Sequence, residues 1–130
     1  MTLNYVIEKS LVSDLEEIRE DLQNIQNNLK DIIQDETLIF DSKLILDELI
    51  CNGIRHGNQL NRNKTINVFI NLCQEFLKIE IADEGNGFNY DEENYDPMKL
   101  STGGRGLKIV DGLSDEFYIE GNKVVSIKYL

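Results

Sequence analysis

At 130 residues and 41% hydrophobic, the chain can bury one continuous core and is too short for a second full domain. Its 24 acidic residues against 13 basic ones leave a net charge of −11, which opposes direct binding to nucleic acid or to an anionic membrane. Any nucleotide must then be held locally, by glycine-loop amides, a helix N-terminus or a divalent cation that an acidic background tolerates.

Tyr5 to Lys9 alternate weakly, which allows an edge strand, and Asn4, Glu8 and Lys9 interrupt any signal-peptide core. From Ser13 or Asp14, both good N-caps, Leu15, Ile18, Leu22, Ile25, Leu29 and Ile32 recur at spacings of three and four, drawing one apolar stripe down a helix of about 20 residues. Acidic residues fill its first turns, as the helix dipole prefers, and its outer face is Asn and Gln. A second helix is predicted from about Ser42 to His56, with Gly57 in a C-cap role. Leu44, Ile45, Leu46, Leu49, Ile50 and Ile54 are too many apolar residues for a surface helix. Glu48, Asn52 and His56, stacked along one side at i, i+4 and i+8, therefore either satisfy one another and the backbone or line a wet cavity. Cys51 and Cys73 share no C-x-x-C spacing and read as buried thiols, and a single histidine supplies no zinc pattern.

Beyond the polar loop Asn58 to Lys64, Thr65 to Leu72 and Leu77 to Ala82 alternate at strand period and turn at Gln74-Glu75, an antiparallel hairpin. The second strand runs into Asp83-Glu84-Gly85-Asn86-Gly87-Phe88. Two glycines at spacing two permit positive φ and close approach to something flat, and Asp83 can accept a hydrogen bond from an amino group. An adenine ring meets both demands, although Asp-x-Gly is also ordinary turn chemistry. Asn89 to Thr102 holds the one proline, Pro97, has no period and reads as a lid. Gly103-Gly104-Arg105-Gly106 then opens an amphipathic segment from Leu107 to Leu113. Glycines at a helix N-terminus offer unpaired amides to a phosphate, while a glycine hinge has the same composition, and the P-loop pattern is absent. Glu116 to Leu130 finishes as two strands turned at Gly121-Asn122. One apolar side on each strand predicts an α/β (α+β) two-layer sandwich, with a mixed, mostly antiparallel sheet and helices on one face, over a single domain 1–130.

Glu48-x-x-x-Asn52 on a helix, Asp83-x-Gly85-x-Gly87 after a strand and Gly104-x-Gly106-Leu107 opening a helix stand in an order that resembles the GHKL (Bergerat-fold) ATPase superfamily. Glu-Leu-Ile-Cys-Asn-Gly-Ile-Arg-His56 and Gly-Gly-Arg-Gly-Leu-Lys-Ile-Val110 are most similar to the bacterial anti-sigma-factor serine/threonine kinases, with a match from about Leu44 to Leu113. The resemblance implies that Asn52 coordinates Mg²⁺ on the phosphates of ATP, that Asp83 reads the adenine amino group and that Gly85 and Gly87 shape its pocket. It further implies that Gly104 and Gly106 wrap the phosphates, that Leu107 joins the cofactor-binding set, that Arg105 adds charge on the γ-phosphate side and that Glu48 is the general base. His56 matches a common residue of the subfamily, with a supporting role inside the nucleotide site. Gly53 stands where alanine is usual, Asn58 where an aromatic is usual, the lid is short and the first helix is unusually rich in Asn and Gln.

As partners the resemblance implies a sigma factor and an anti-anti-sigma antagonist phosphorylated on serine, in the cytoplasm, with the first strand and helix serving docking and a homodimer. A second reading is an ATP-sensing module or ATPase domain without protein kinase activity. A third, the catalytic domain of a histidine kinase, is disfavoured because no dimerisation helix with a phosphoacceptor histidine precedes the motifs.

Overall fold

A computed structural model describes residues 4–85 and 102–130, with side chains from residue 106 onward in the second stretch. In chain order the elements are β1 (Asn4–Val12), α1 (Ile18–Ile32), α2 (Glu36–Asn52), a π-helical turn (Gly53–Gly57), β2 (Thr65–Cys73), β3 (Phe76–Ala82), α3 (Thr102–Leu113), β4 (Glu116–Glu120) and β5 (Lys123–Tyr129). The strands lie in the order β1-β2-β3-β5-β4, and all four pairings are antiparallel.

The register explains the two layers. Ile7 lies opposite Ile70, Ile70 opposite Ile79 and Ile79 opposite Ser126, so one set of alternating residues shares a single face across four strands. That face is buried in one cluster with the apolar stripes of the helices, among them Ile25 and Leu29 of α1, Leu46 and Ile50 of α2 and Val110 of α3. Each such side chain contributes about 1.5–3 kcal/mol by leaving water. The opposite face leaves Val6, Val12, Tyr118 and Tyr129 exposed. The expected α+β sandwich, mostly antiparallel with its helices on one face, is thus the observed one.

Local chemistry sets the helix boundaries. Asp14 Oδ1 accepts the N–H groups of Glu16 and Glu17, at 2.8 and 3.2 Å, capping the turn that leads into α1. α2 begins six residues before the expected Ser42, because Asp35 is its true N-cap and accepts from Thr37 N and Leu38 N at 2.9 and 3.1 Å. Ser42 is instead buried inside the helix, where its hydroxyl donates back to the Ile39 carbonyl. Gln26 of α1 donates to Asp47 of α2 at 3.1 Å. Lys128 of β5 pairs with Asp41 of α2 at 3.3 Å and donates to the Leu113 carbonyl at the end of α3, tying both helices to the sheet. Among the described residues no helix is long and apolar enough to cross a membrane.

Candidate functional site

β3 alternates Leu77, Ile79 and Ile81 into the core and ends at Ala82, so Asp83 leaves the sheet at its end. The turn is held at several points. Asp83 N–H donates to the Asn122 carbonyl at 3.1 Å, the Asn122 side-chain amide donates to the Asp83 carbonyl, and Gly85 N–H donates to Asp83 Oδ1 at 2.8 Å. Asp83 is only 5% exposed, and this burial pushes its carboxyl above the usual carboxylate range, against the Gly85 N–H and the Lys64 charge that pull it down.

Gly57 and Gly85 pack against that carboxylate, and Gly53 lies beside the Asp83 Cβ. A Cβ on Gly57 would lie 1.9 Å from Asp83 Oδ2, one on Gly53 would touch Asp83 Cβ at 3.8 Å, and one on Gly85 would lie 2.2 Å from the Gly57 carbonyl oxygen. Gly57 is therefore not the left-handed C-cap expected from the sequence. Among the described glycines only Gly121 has a positive φ, so Gly57 and Gly85 serve close approach rather than an unusual backbone conformation. The helix reaches over Asp83 through its π-helical end, where Asn58 N–H bonds to the Gly53 carbonyl five residues back, at 2.8 Å. His56, expected on the same side as Glu48 and Asn52, lies in this turn and is exposed, whereas Asn52 is buried and Glu48 half-buried.

Toward the middle of α2 the surroundings differ. Glu48 lies one turn before Asn52, and its carboxylate rests against Gly106, where a Cβ would come within 2.2 Å of Glu48 Oε2. Asn52 is 9% exposed and its Nδ2 has no hydrogen-bond partner among the described residues, an omission that costs about 1–3 kcal/mol in a buried site. A half-turn of that amide offers an oxygen at the same place, so the group suits a phosphate oxygen or a cation. α3 starts at Thr102, which puts Gly104 and Arg105 in its first turn, where backbone N–H groups have no partner within the helix. Leu107, grouped with them from the motif, is a core residue, 3% exposed in the apolar cluster. Gly87 and the expected lid from Asn89 as far as Ser101 lie outside the described residues, while Thr102, its expected last residue, is the first residue of α3.

Two residues that sequence reasoning passed over belong to this site. Asn58 is fully buried beneath the Asp83 turn, and Glu84 accepts both the N–H and the hydroxyl of Thr65. Asn58 read as the start of a polar loop, and its departure from the aromatic usual at that position was the available signal.

Residues 11–128 match the profile of the histidine kinase-like ATPase domain. The chain is 28% identical over 104 residues to the serine-protein kinase RsbW of Bacillus subtilis, covering 71% of this chain and 65% of that protein. It is 30% identical over 107 residues to the serine-protein kinase RsbW of Staphylococcus aureus, covering 71% and 66%. The chain thus spans about two thirds of the length of the curated relatives it matches, a little less in each case.

Proposed function

The chain belongs to the histidine kinase-like ATPase domain family, and from that membership we propose that it is a Mg²⁺-ATP-dependent protein serine kinase of the anti-sigma-factor type, acting as one domain. The observation that carries this reading is the placement of Glu48. Its carboxylate is held against Gly106 of α3, one helical turn from the Asn52 amide, whose Nδ2 has no partner among the described residues, while Asp83 lies against Gly57 beyond the end of the same helix.

On this reading Asp83 accepts a hydrogen bond from the adenine 6-amino group, Gly85 and Gly87 let the base approach, and the free amides around Gly104 and Arg105 meet the phosphates. Arg105 adds positive charge on the γ-phosphate side. Gly106 serves by letting Glu48 come close. Asn52 would hold Mg²⁺ through its amide oxygen, and the ion would neutralise phosphate charge that a chain of net charge −11 otherwise repels. Glu48 takes the proton from a serine hydroxyl of the antagonist as that oxygen bonds to the γ-phosphorus and the bond to ADP breaks. Positioning and charge neutralisation supply most of the acceleration in such a transfer, which is the work this residue set can do.

The partners would be a sigma factor and an anti-anti-sigma antagonist, in the cytoplasm, with a homodimer as the assembly and regulation of transcription as the outcome. The test is incubation with γ-labelled ATP and candidate single-domain antagonists, with and without Mg²⁺. Label on an antagonist serine that requires Mg²⁺ and Glu48 supports the proposal. ATP binding with no candidate labelled would favour the ATP-sensing module instead.

A further inference from the structure

We propose that Asn58 is a positioning residue that fixes the Asp83 turn and so sets how strongly the site discriminates for the purine 6-amino group. The inference rests on the reading of Asp83 as the group that meets adenine. Asn58 is fully buried, and its polar groups are used in three directions. Nδ2 donates to the Thr65 carbonyl at 2.9 Å, Oδ1 accepts Glu84 N–H at 2.7 Å and its own N–H donates to the Gly53 carbonyl at 2.8 Å. The side chain thereby joins the start of β2 to the peptide directly after Asp83, and the backbone N–H ties both to the π-helical turn.

The geometry leaves Asp83 little freedom while those bonds hold. Asn58 fixes Glu84 N–H on one side of the turn, and Asn122 holds the Asp83 N–H and carbonyl on the other. The residue before Asn58 is Gly57, whose Cα lies against Asp83 Oδ2, so the same anchor sets the wall that the carboxylate leans on. Gln59 and Leu60 follow in the left-handed region, with φ of 52° and 61°. Two consecutive non-glycine residues persist there only where their surroundings hold them, and Asn58 is the buried anchor at their start. A primary amide is the group this position demands, since it donates to Thr65 and accepts from Glu84 at once. A leucine side chain can do neither.

The test compares binding of ATP with purine riboside triphosphate, which lacks only the 6-amino group, by calorimetry on the whole protein and the Asn58→Leu and Asp83→Asn variants. The expected result for Asn58→Leu is a loss of at least about 10-fold in ATP affinity with little change for the purine analogue, so the discrimination ratio collapses. A structural role alone would lower both affinities alike, and that outcome, or no change in either, overturns the inference. If Asp83→Asn collapses the ratio and Asn58→Leu does not, Asn58 is excluded while the reading of Asp83 stands. If Asp83→Asn leaves the ratio unchanged, both fall. Should Asn58→Leu not fold, hydrogen exchange at Glu84 N–H in the parent protein decides. Greater slowing by ATP than by the purine analogue supports the coupling, and equal slowing overturns it.

Discussion

The two ends of the α2 site are built on opposite plans. At the Asp83 end every described polar contact is made before any ligand arrives, with Asn58, Asn122 and Gly85 fixing one short turn. At the Glu48 end a buried amide has no partner among the described residues, and a carboxylate rests on a bare glycine Cα. On the proposed function the first would be a preformed recognition surface, whose affinity benefits from having little left to order. The second holds its polar groups in reserve, as expected where binding and chemistry must differ between ground and transition states.

The contrast breaks most visibly in turnover. Glu48→Gln keeps size and hydrogen bonding but cannot take the serine proton, so single-turnover phosphorylation should fall about 10²-fold or more while ATP affinity barely moves. Asn52→Ala should instead lose Mg²⁺-dependent binding and turnover together, measured by calorimetry with and without the ion. If Glu48→Gln transfers phosphate at the parent rate, the two ends do not divide binding from chemistry.

Asp83→Asn sharpens the other side. ATP affinity should drop about 10- to 100-fold, the scale of a hydrogen bond to a charged acceptor. Without nucleotide, however, the variant should melt higher than the parent at neutral pH. The folded carboxyl sits above its ordinary value near 3.8 because of burial, so the stability it contributes is fully present below that value and lost as pH rises through the folded pKa. Thermal melts should show the gap between variant and parent closing toward acidic pH. A parent that melts higher at pH 7 would mean that the carboxylate is not held at a cost.

Smaller effects locate the boundary between the two ends. Gly57→Ala drives a methyl into Asp83 Oδ2 and should destabilise by about 1–3 kcal/mol in urea titrations, with ATP affinity falling and the residual turnover of bound ATP preserved. Asp35→Ala lies outside both ends and should cost about 1 kcal/mol through the lost N-cap, leaving affinity and turnover at parent values.

Much of this was legible in the sequence, for identifiable reasons. Leu77, Ile79 and Ile81 alternate because the strand buries one face, and that period delivers Asp83 to the sheet end. Glu48 and Asn52 stood out because polar residues in an apolar helix need a reason. The edge strand β1 was fainter: Lys9 lies on the buried-side register between Ile7 and Leu11 yet remains exposed, so the alternation fails midway. The start of α2 was misplaced because Asp35 and Ser42 carry equal capping chemistry, and only the back-bond to Ile39 removes Ser42 from contention. The π-helical turn was not legible at all. It accompanies the packing of Gly57 on the Asp83 carboxylate at the end of β3 and of Gly53 on Ile66, and contacts so distant in sequence leave no local period to read.

The bond between Asn122 and Asp83 also bears on how the protein is made. These residues are 39 apart, and closing a loop of that length costs about 3 kcal/mol of chain entropy before any contact compensates. On the ribosome, Asp83 emerges while its partner has not yet been synthesised, and β3 waits for β5 as its second neighbour. A nascent chain that ends before Asn122 lacks one of the two anchors of the Asp83 turn. The Asp83 turn is therefore completed only after Asn122 has been synthesised and the β4–β5 hairpin has closed on β3.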